Sequence, residues 1–293
     1  MSLTLVIPVG NFSKDREHLL EYLNQSKIFG IPMILVIDDS NPDSIIQARK
    51  WEAQRIDQRV RVLQYDGRNP GGARNEAIKY VQTQWLQFCD SDDSIDIESV
   101  LKLINSQEVS HCQAIVAGFR QKLKNDQKFN PRDYFARKFL YLGIGLDPGI
   151  WRWIFRTEFV KNLKFAETRM GEDQVFIAKF LLSNPKLINK QNLSVYSYDS
   201  NTPGNLTSQY SSEEVKKVLK EFEALSLKDS QLRNSILVTI LYFKMKLTII
   251  RRNVEFSKID RFAMYLSFIA HFLKAIFLTL FKRLERLGID RGR

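Results

Sequence analysis

The 293-residue chain predicts an α/β fold: a mostly parallel sheet flanked by helices, followed by a helical C-terminal extension. Three observations carry this expectation. Short apolar runs alternate with segments of helical periodicity from the N-terminus to Asp93. The runs are apolar at successive positions, so both strand faces are buried, as in a parallel sheet with helices on either side. Polar or acidic residues directly follow several of these runs, at the carboxyl edge where open α/β sheets bind ligands.

Taken in order, Leu3–Val9 is a first strand, and Leu19, Leu20 and Leu23 give residues 17–25 a helical face. Residues 33–37 form a second strand, 44–56 a helix, Val60–Tyr65 a third strand, 73–81 a helix and 85–89 a fourth strand. Such units join by right-handed crossovers. Beyond Asp93 the pattern loosens. Residues 114–119, 151–155 and 193–198 read as short strands, and 173–182 as a helix with Phe176, Ile177, Phe180 and Leu181 on its apolar side. From Ser211 on, the chain reads as helical, so residues 1–210 are expected to form the main domain and 211–293 the extension.

Composition narrows the partners. A 44% hydrophobic content supports a real core, and the net charge of +11 lies mostly in residues 211–293, which carry +8. A basic tail points to an anionic surface. Lipid headgroups fit better than nucleic acid, because the charge is not interleaved with aromatics on a strand platform and no helix–turn–helix pattern stands out. Cys89 and Cys112 sit among apolar residues, and Leu3–Val9 lacks the basic flank of a signal peptide, so a cytoplasmic protein is expected. His18, His111 and His271 share no zinc-ligand spacing.

Three strand ends carry chemistry. The run Leu86-Gln87-Phe88-Cys89-Asp90-Ser91-Asp92-Asp93 gathers carboxylates that repel one another unless a cation such as Mg²⁺ or Mn²⁺ joins them to a substrate phosphate. The alternative is an acidic loop capping the next helix, the role expected of Asp93. Asp38 and Asp39 can accept hydrogen bonds from a base or from ribose hydroxyls, or cap the next helix. Asn69-Pro70-Gly71-Gly72-Ala73-Arg74-Asn75 opens a helix with small residues that let backbone N–H groups approach an anion, while Arg74 suits a phosphate or a nearby carboxylate. It could also be an ordinary strand–helix loop.

Together with Val6-Ile7-Pro8-Val9-Gly10-Asn11 and a later Gly171-Glu172-Asp173, these segments resemble, in order, the signatures of family-2 glycosyltransferases with the GT-A (Rossmann-like) fold. The resemblance covers residues 1–200 or so. Gly10 stands where the family usually has an aromatic, which removes a stacking contribution to the base. Ser40-Asn41-Pro42-Asp43 lacks the family's usual glycine.

The resemblance implies an inverting transfer of a sugar from a nucleoside-diphosphate sugar, foremost a UDP-sugar, to a hydroxyl of a glycan or lipid-linked acceptor in surface polysaccharide synthesis. Pro8, Val9, Asn11, Asp38, Asp39, Gly71, Gly72, Arg74, Asp90 and Ser91 would then border the nucleotide sugar. Asp92, with Asp90, would hold Mn²⁺ or Mg²⁺. Asp173 would be the general base, Glu172 would orient either Asp173 or the acceptor, and Trp151 and Trp153 would face the acceptor. Those tryptophans alternate along one short expected strand and so would share a face, although core packing serves them equally well. Two other readings stay open. A nucleotidyltransferase would be expected to carry a glycine-rich basic loop after the first strand, and residues 9–14 match that weakly. The other is a non-enzymatic scaffold that binds a membrane or nucleic acid.

In the extension, residues 262–281 are mostly apolar, with Ser267, His271 and Lys274 on one polar stripe and basic residues at both ends. That is the pattern of a helix lying in an anionic membrane interface, here the inner face of the cell membrane. A similar run at 235–250 is broken by Lys244 and Lys246. Packing onto the main domain, or between copies in a homo-oligomer, is one alternative. A membrane span, for which residues 262–281 are long enough, is the other, and His271 and Lys274 argue against it.

Overall fold

A computed structural model describes residues 3–38, 42–53, 59–122, 149–199, 212–225 and 232–252, together with Phe262, Leu266, Ile269, Leu273 and Phe277. Asp39 and the polar stripe Ser267, His271 and Lys274 lie outside the described residues.

The first half alternates as expected: β1 (Leu3–Val9), α1 (Arg16–Phe29), β2 (Met33–Asp38), α2 (Pro42–Ala53), β3 (Val60–Tyr65), α3 (Pro70–Ile78) and β4 (Trp85–Phe88). Then come β5 (Ser94–Ile95), α4 (Ile97–Ile104), β6 (Ala114–Lys122), β7 (Trp153–Arg156), α5 (Thr157–Val160), α6 (Glu172–Leu182), β8 (Ile188–Asp199), α7 (Ser212–Glu223) and α8 (Leu232–Arg252).

Among the described residues the sheet has eight strands in the order β3-β2-β1-β4-β7-β6-β8-β5. The β3-β2-β1-β4 half is parallel, so the carboxyl ends of its strands share one edge. β7 runs antiparallel to both β4 and β6, which is why the helix–strand alternation fades after Asp93. This is the GT-A arrangement, a mostly parallel sheet flanked by helices with further helices at the C-terminus.

Successive β1 side chains enter opposite cores, as the two-residue strand period requires. Leu3, Leu5, Ile7 and Val9 pack with Leu19, Tyr22 and Leu23 of α1 and with Ile97, Val100, Leu103 and Ile104 of α4. Val6, with Val36, Leu86 and Phe88, faces Ala73, Ala77 and Ile78 of α3 and the apolar side of α6. Val218 and Phe222 of α7 and Leu237, Val238, Leu241 and Met245 of α8 belong to this second core. Within the apolar run at 235–250, Leu237, Val238, Leu241, Phe243 and Met245 are therefore buried against protein. Among the described residues no helix is long and apolar enough to cross a membrane.

Candidate active site

A cleft of about 600 Å³ opens at the carboxyl edge of the parallel strands. Its wall includes Pro8 and Val9 at the end of β1, Asn11 just after it, Asp38 at the end of β2, Arg74 of α3, and Asp90, Ser91 and Asp92 after β4. From the other side come Trp151, Glu172 and Asp173. The strand-end clusters and the Gly171-Glu172-Asp173 turn, far apart in sequence, thus meet in one place.

The loop after β4 is held rigid from beneath. The Tyr196 hydroxyl on β8 donates to Asp93 Oδ2 at 2.9 Å and accepts the Asp90 N–H at 2.9 Å. The Tyr22 hydroxyl donates to the Asp90 carbonyl at 3.2 Å. Asp93 is 1% exposed and serves this network. It does not cap α4, as expected from the sequence; Asp96 does, accepting the Ser99 N–H at 3.0 Å. Ser91 turns inward, its hydroxyl donating to Asp15 Oδ2 at 2.6 Å.

Asp92 is left among negative neighbours. Burial, then Asp90 and Asp15, push its carboxyl up to about 6. Burial likewise raises Asp15, against the pull of the Ser91 hydroxyl. No group of three or more His, Cys, Asp or Glu side chains able to hold a metal occurs among the described residues. Two neighbouring carboxylates, Asp90 paired with a guanidinium and Asp92 raised by its surroundings, nevertheless suit a hard divalent cation that takes its remaining oxygens from a diphosphate.

Arg74 joins the two halves of the cleft. It is 3% exposed, and its guanidinium donates from Nη2 to Asp90 Oδ1 at 2.8 Å and from Nη1 to Glu172 Oε1 at 2.7 Å. Of the two partners expected for this arginine, phosphate or carboxylate, the structure supplies carboxylates. Glu172 accordingly braces Arg74; no hydrogen bond from it to Asp173 is seen among the described residues. Burial raises the Glu172 carboxyl, opposed by Arg74.

The glycines of this segment do a different task from the one expected. Neither Gly71 nor Gly72 lines the cleft. A Cβ on Gly71 would lie 2.1 Å from the Ala166 carbonyl oxygen, and one on Gly72 1.7 Å from the Tyr65 hydroxyl. They let α3 press against the segment leading to Glu172 and against the β3 tyrosine. Asn75 completes that clamp, donating from Nδ2 to the Phe165 carbonyl at 3.1 Å and accepting the Phe165 N–H at 2.8 Å.

Asp173 stands in the first turn of α6, entered through Gly171 at φ 76, a left-handed conformation that favours glycine. Burial, then the Glu172 charge, push Asp173 up to about 7; Arg74 and Lys244 pull the other way. A carboxyl near neutrality in a cleft has the strength a general base needs.

The two tryptophans part company. Strand β7 begins only at Trp153, and Trp151 lies in the 3₁₀ turn Ile150–Arg152, so the alternation argument does not apply. Trp153 is fully buried, stacked on Phe155 at 5.5 Å, and does not line the cleft. Trp151 does, stacked on Tyr196 at 4.8 Å and Tyr198 at 5.8 Å. Phe119 and Tyr198 extend this aromatic wall. Lys14, Asp15, Tyr65, Arg68, Arg169 and Lys244 also reach the cleft without being singled out by any motif. For Lys244 the one signal was its interruption of an apolar helical run.

Comparison with known proteins bears on this geometry. The profile "Glycosyl transferase family 2" matches residues 5–171, more than half of the chain. The chain belongs to glycosyl transferase family 2. The uncharacterized glycosyltransferase EpsJ of Bacillus subtilis is 24% identical over 188 residues, 59% of this chain and 54% of EpsJ. Poly(ribitol-phosphate) beta-N-acetylglucosaminyltransferase TarS of Staphylococcus aureus is 27% identical over 104 residues, 34% of this chain but 18% of TarS. The chain thus spans half or less of these relatives' lengths, or little more. The crystal structure of S. aureus TarS 1-349 in complex with UDP-GlcNAc superposes with a TM-score of 0.67 at 18% identity, over 94% of this chain and 82% of that one. Glucosyl-3-phosphoglycerate synthase from Mycobacterium tuberculosis, solved with Mn²⁺ and UDP, gives 0.50 at 17% identity, over 77% of this chain and 81% of that one. At such identities these structures establish the shared fold.

Proposed function

We propose that this family-2 protein transfers a sugar, with inversion, from a UDP-sugar to a hydroxyl of a glycan or lipid-linked acceptor. The observation that carries the reading is the Arg74 bridge, which fixes Asp90 of the β4 loop and Glu172, the neighbour of Asp173, around one cleft. UDP-GlcNAc in TarS, and UDP with Mn²⁺ in the synthase, support the donor class.

Pro8, Val9, Asn11 and Asp38 line the side given to the nucleoside, with Asp90 and Ser91 next to them. Asp92 and Asp90 would hold Mn²⁺ or Mg²⁺. Such an ion, when bound, offsets the charge that builds on the leaving diphosphate. Asp173 accepts the proton of the acceptor hydroxyl while that oxygen forms its bond to C1 of the sugar and the C1–diphosphate bond breaks. Trp151 offers an aromatic face to the acceptor or the transferred sugar.

Thermal stabilisation by a panel of nucleotide sugars, with and without Mn²⁺, tests the donor assignment. Asp92→Asn is expected to lose metal-dependent UDP binding by tenfold or more, on the order of the 1.4 kcal/mol that tenfold represents. Unchanged affinity by calorimetry would remove Asp92 from the metal site.

We also propose that the extension rests on an anionic membrane at the cytoplasmic face. Phe262, Leu266, Ile269, Leu273 and Phe277 are helical, recur at three- and four-residue spacing and are 50–64% exposed. They form one apolar stripe on a basic segment. Leu266→Glu with Leu273→Glu should release the protein from anionic vesicles in sedimentation without changing UDP affinity. A folded double variant that still sediments refutes the docking.

A further inference from the structure

Two walls of the cleft meet in one buried side chain, Tyr196 of β8. Its hydroxyl holds the β4 loop, donating to Asp93 Oδ2 and accepting the Asp90 N–H, both at 2.9 Å. Its ring lies nearly parallel to the Trp151 indole, with centroids 4.8 Å apart. Trp151 is also placed from the sheet, because buried Gln87 of β4 donates from Nε2 to the Trp151 carbonyl at 2.9 Å.

The backbone alone already keeps β8 beside the loop. Strand β5 follows Asp93 directly and pairs with β8 through Ser94↔Ser197 and Ile95↔Tyr196. The Asp96 N–H donates to the Val195 carbonyl at 2.8 Å. A phenylalanine at 196 would fill the same core and stack on the same indole. What the tyrosine adds is a hold on the peptide N–H of Asp90, a residue of the cleft wall.

A phenol has no rotatable bond between its oxygen and its ring. A shift of the Asp90–Asp93 backbone at one end therefore moves the ring at the other. In a close-packed interior such a movement is passed to whatever the ring touches, here the indole. Asp90 Oδ1 is already engaged by Arg74 at 2.8 Å, so turning this carboxylate toward a cation draws on the loop backbone as well.

We propose that Tyr196 is a positioning residue that couples the two substrate subsites. Filling the metal and diphosphate end of the cleft resets the Trp151 face through the tyrosine ring, and the acceptor meets a platform adjusted by the bound donor. This rests on the glycosyltransferase reading and adds to it a link between the two substrates. By linkage the coupling is reciprocal, so a ligand on Trp151 changes UDP affinity by the same factor.

The test uses the full chain with UDP and Mn²⁺ as the probe. Calorimetry gives the affinity, and near-ultraviolet circular dichroism, in the tryptophan band where uridine does not absorb, reads the indoles. The part of the change at saturation that is missing in Trp151→Phe belongs to Trp151. The wild type is expected to show such a part. In Tyr196→Phe UDP still binds, weakened about fivefold, the low end of coupling between linked sites, and the Trp151 response is largely lost. Ser91→Ala is the control. It removes another side-chain anchor of the loop, the 2.6 Å bond to Asp15 Oδ2, and leaves the Tyr196 contacts in place. Whatever it does to affinity, its Trp151 response at saturation is expected to remain. If Tyr196→Phe fails to fold, Asp93→Asn takes its place, since the amide weakens the bond to the hydroxyl without changing shape. A smaller loss of the Trp151 response is then expected.

A wild-type change that is the same in Trp151→Phe overturns the coupling. So does a full Trp151 response in Tyr196→Phe, or in Asp93→Asn where that variant stands in, because the ligand then reaches the indole by another route. An equal loss in Ser91→Ala also overturns it, as general loosening of the loop. In each of these cases UDP still binds and the donor reading stands. No UDP binding to the wild type overturns the donor reading and the coupling with it.

Discussion

Asp173→Asn is expected to lower transfer by about 10²–10⁴-fold while leaving UDP-sugar affinity within twofold or so, because general-base contributions are of that size and are made in the transition state. The amide keeps the shape of the carboxyl and its place in the first turn of α6 but cannot accept the acceptor proton. Single-turnover transfer measured beside calorimetric donor binding separates the two quantities. A variant that transfers at the wild-type rate excludes Asp173 as the base. One that loses donor binding as well marks it as part of the donor site.

The pH dependence follows with a definite sign. Burial first and then Glu172 push the Asp173 carboxyl up to about 7, and as the proposed base it must be ionised to act. Transfer should therefore rise with pH through about 7 and level off above it. Stability moves the other way. A carboxyl whose folded pKa is raised contributes stability that is present below its unfolded pKa and lost as pH rises through the folded value. Asp173→Asn removes that loss, so the variant should melt above the wild type at pH 8 although it transfers far more slowly. Each kcal/mol gained is worth roughly 2–4 °C for a chain of this size. A lower melting temperature at pH 8 would show that the charged Asp173 is stabilised in the fold.

How far the sequence could be read depended on the range of the interaction. Parallel strands must share a carboxyl edge, so Asn11, Asp38 and Asp90 could be placed together from pattern alone. Asp93 could not, because the hydroxyl that holds it belongs to Tyr196 on β8, and local capping statistics do not see that far. Gly71 and Gly72 misled for the same reason: what they make room for is the Ala166 carbonyl and the Tyr65 ring. Trp153 depended on where β7 begins, and a two-residue shift in a strand start decides whether two aromatics can be compared at all. Lys244 was hidden deepest, on a helix whose contact with the Gly171 turn no periodicity predicts.

Arg74→Met should be the most destabilising single change at this site, by about 3–5 kcal/mol, the cost of leaving a buried charge without its partner. Methionine fills much of the volume but returns no charge, so Glu172, whose side chain is 9% exposed, is stranded. The Asp90 side chain, 33% exposed, can turn to water and contributes less to the penalty. The asymmetry gives a check that simple loss of packing does not. Adding Glu172→Gln to Arg74→Met should restore a large part of the stability, whereas adding Asp90→Asn should restore little. Arg74→Lys should stay folded but impaired, since an ammonium cannot reproduce the planar fork that meets two carboxylates at 2.8 and 2.7 Å. Denaturant melts of the four variants measure the coupling. If Glu172→Gln brings no recovery, Arg74 stabilises the fold through its packing against Phe165, over whose ring it lies at 5.4 Å, and the ion pair is incidental to stability. If recovery is seen, the tie between the β4 loop and the α6 turn is electrostatic. The same side chain then sets where Asp90 and Asp173 stand relative to each other, which is the distance any in-line transfer across this cleft depends on.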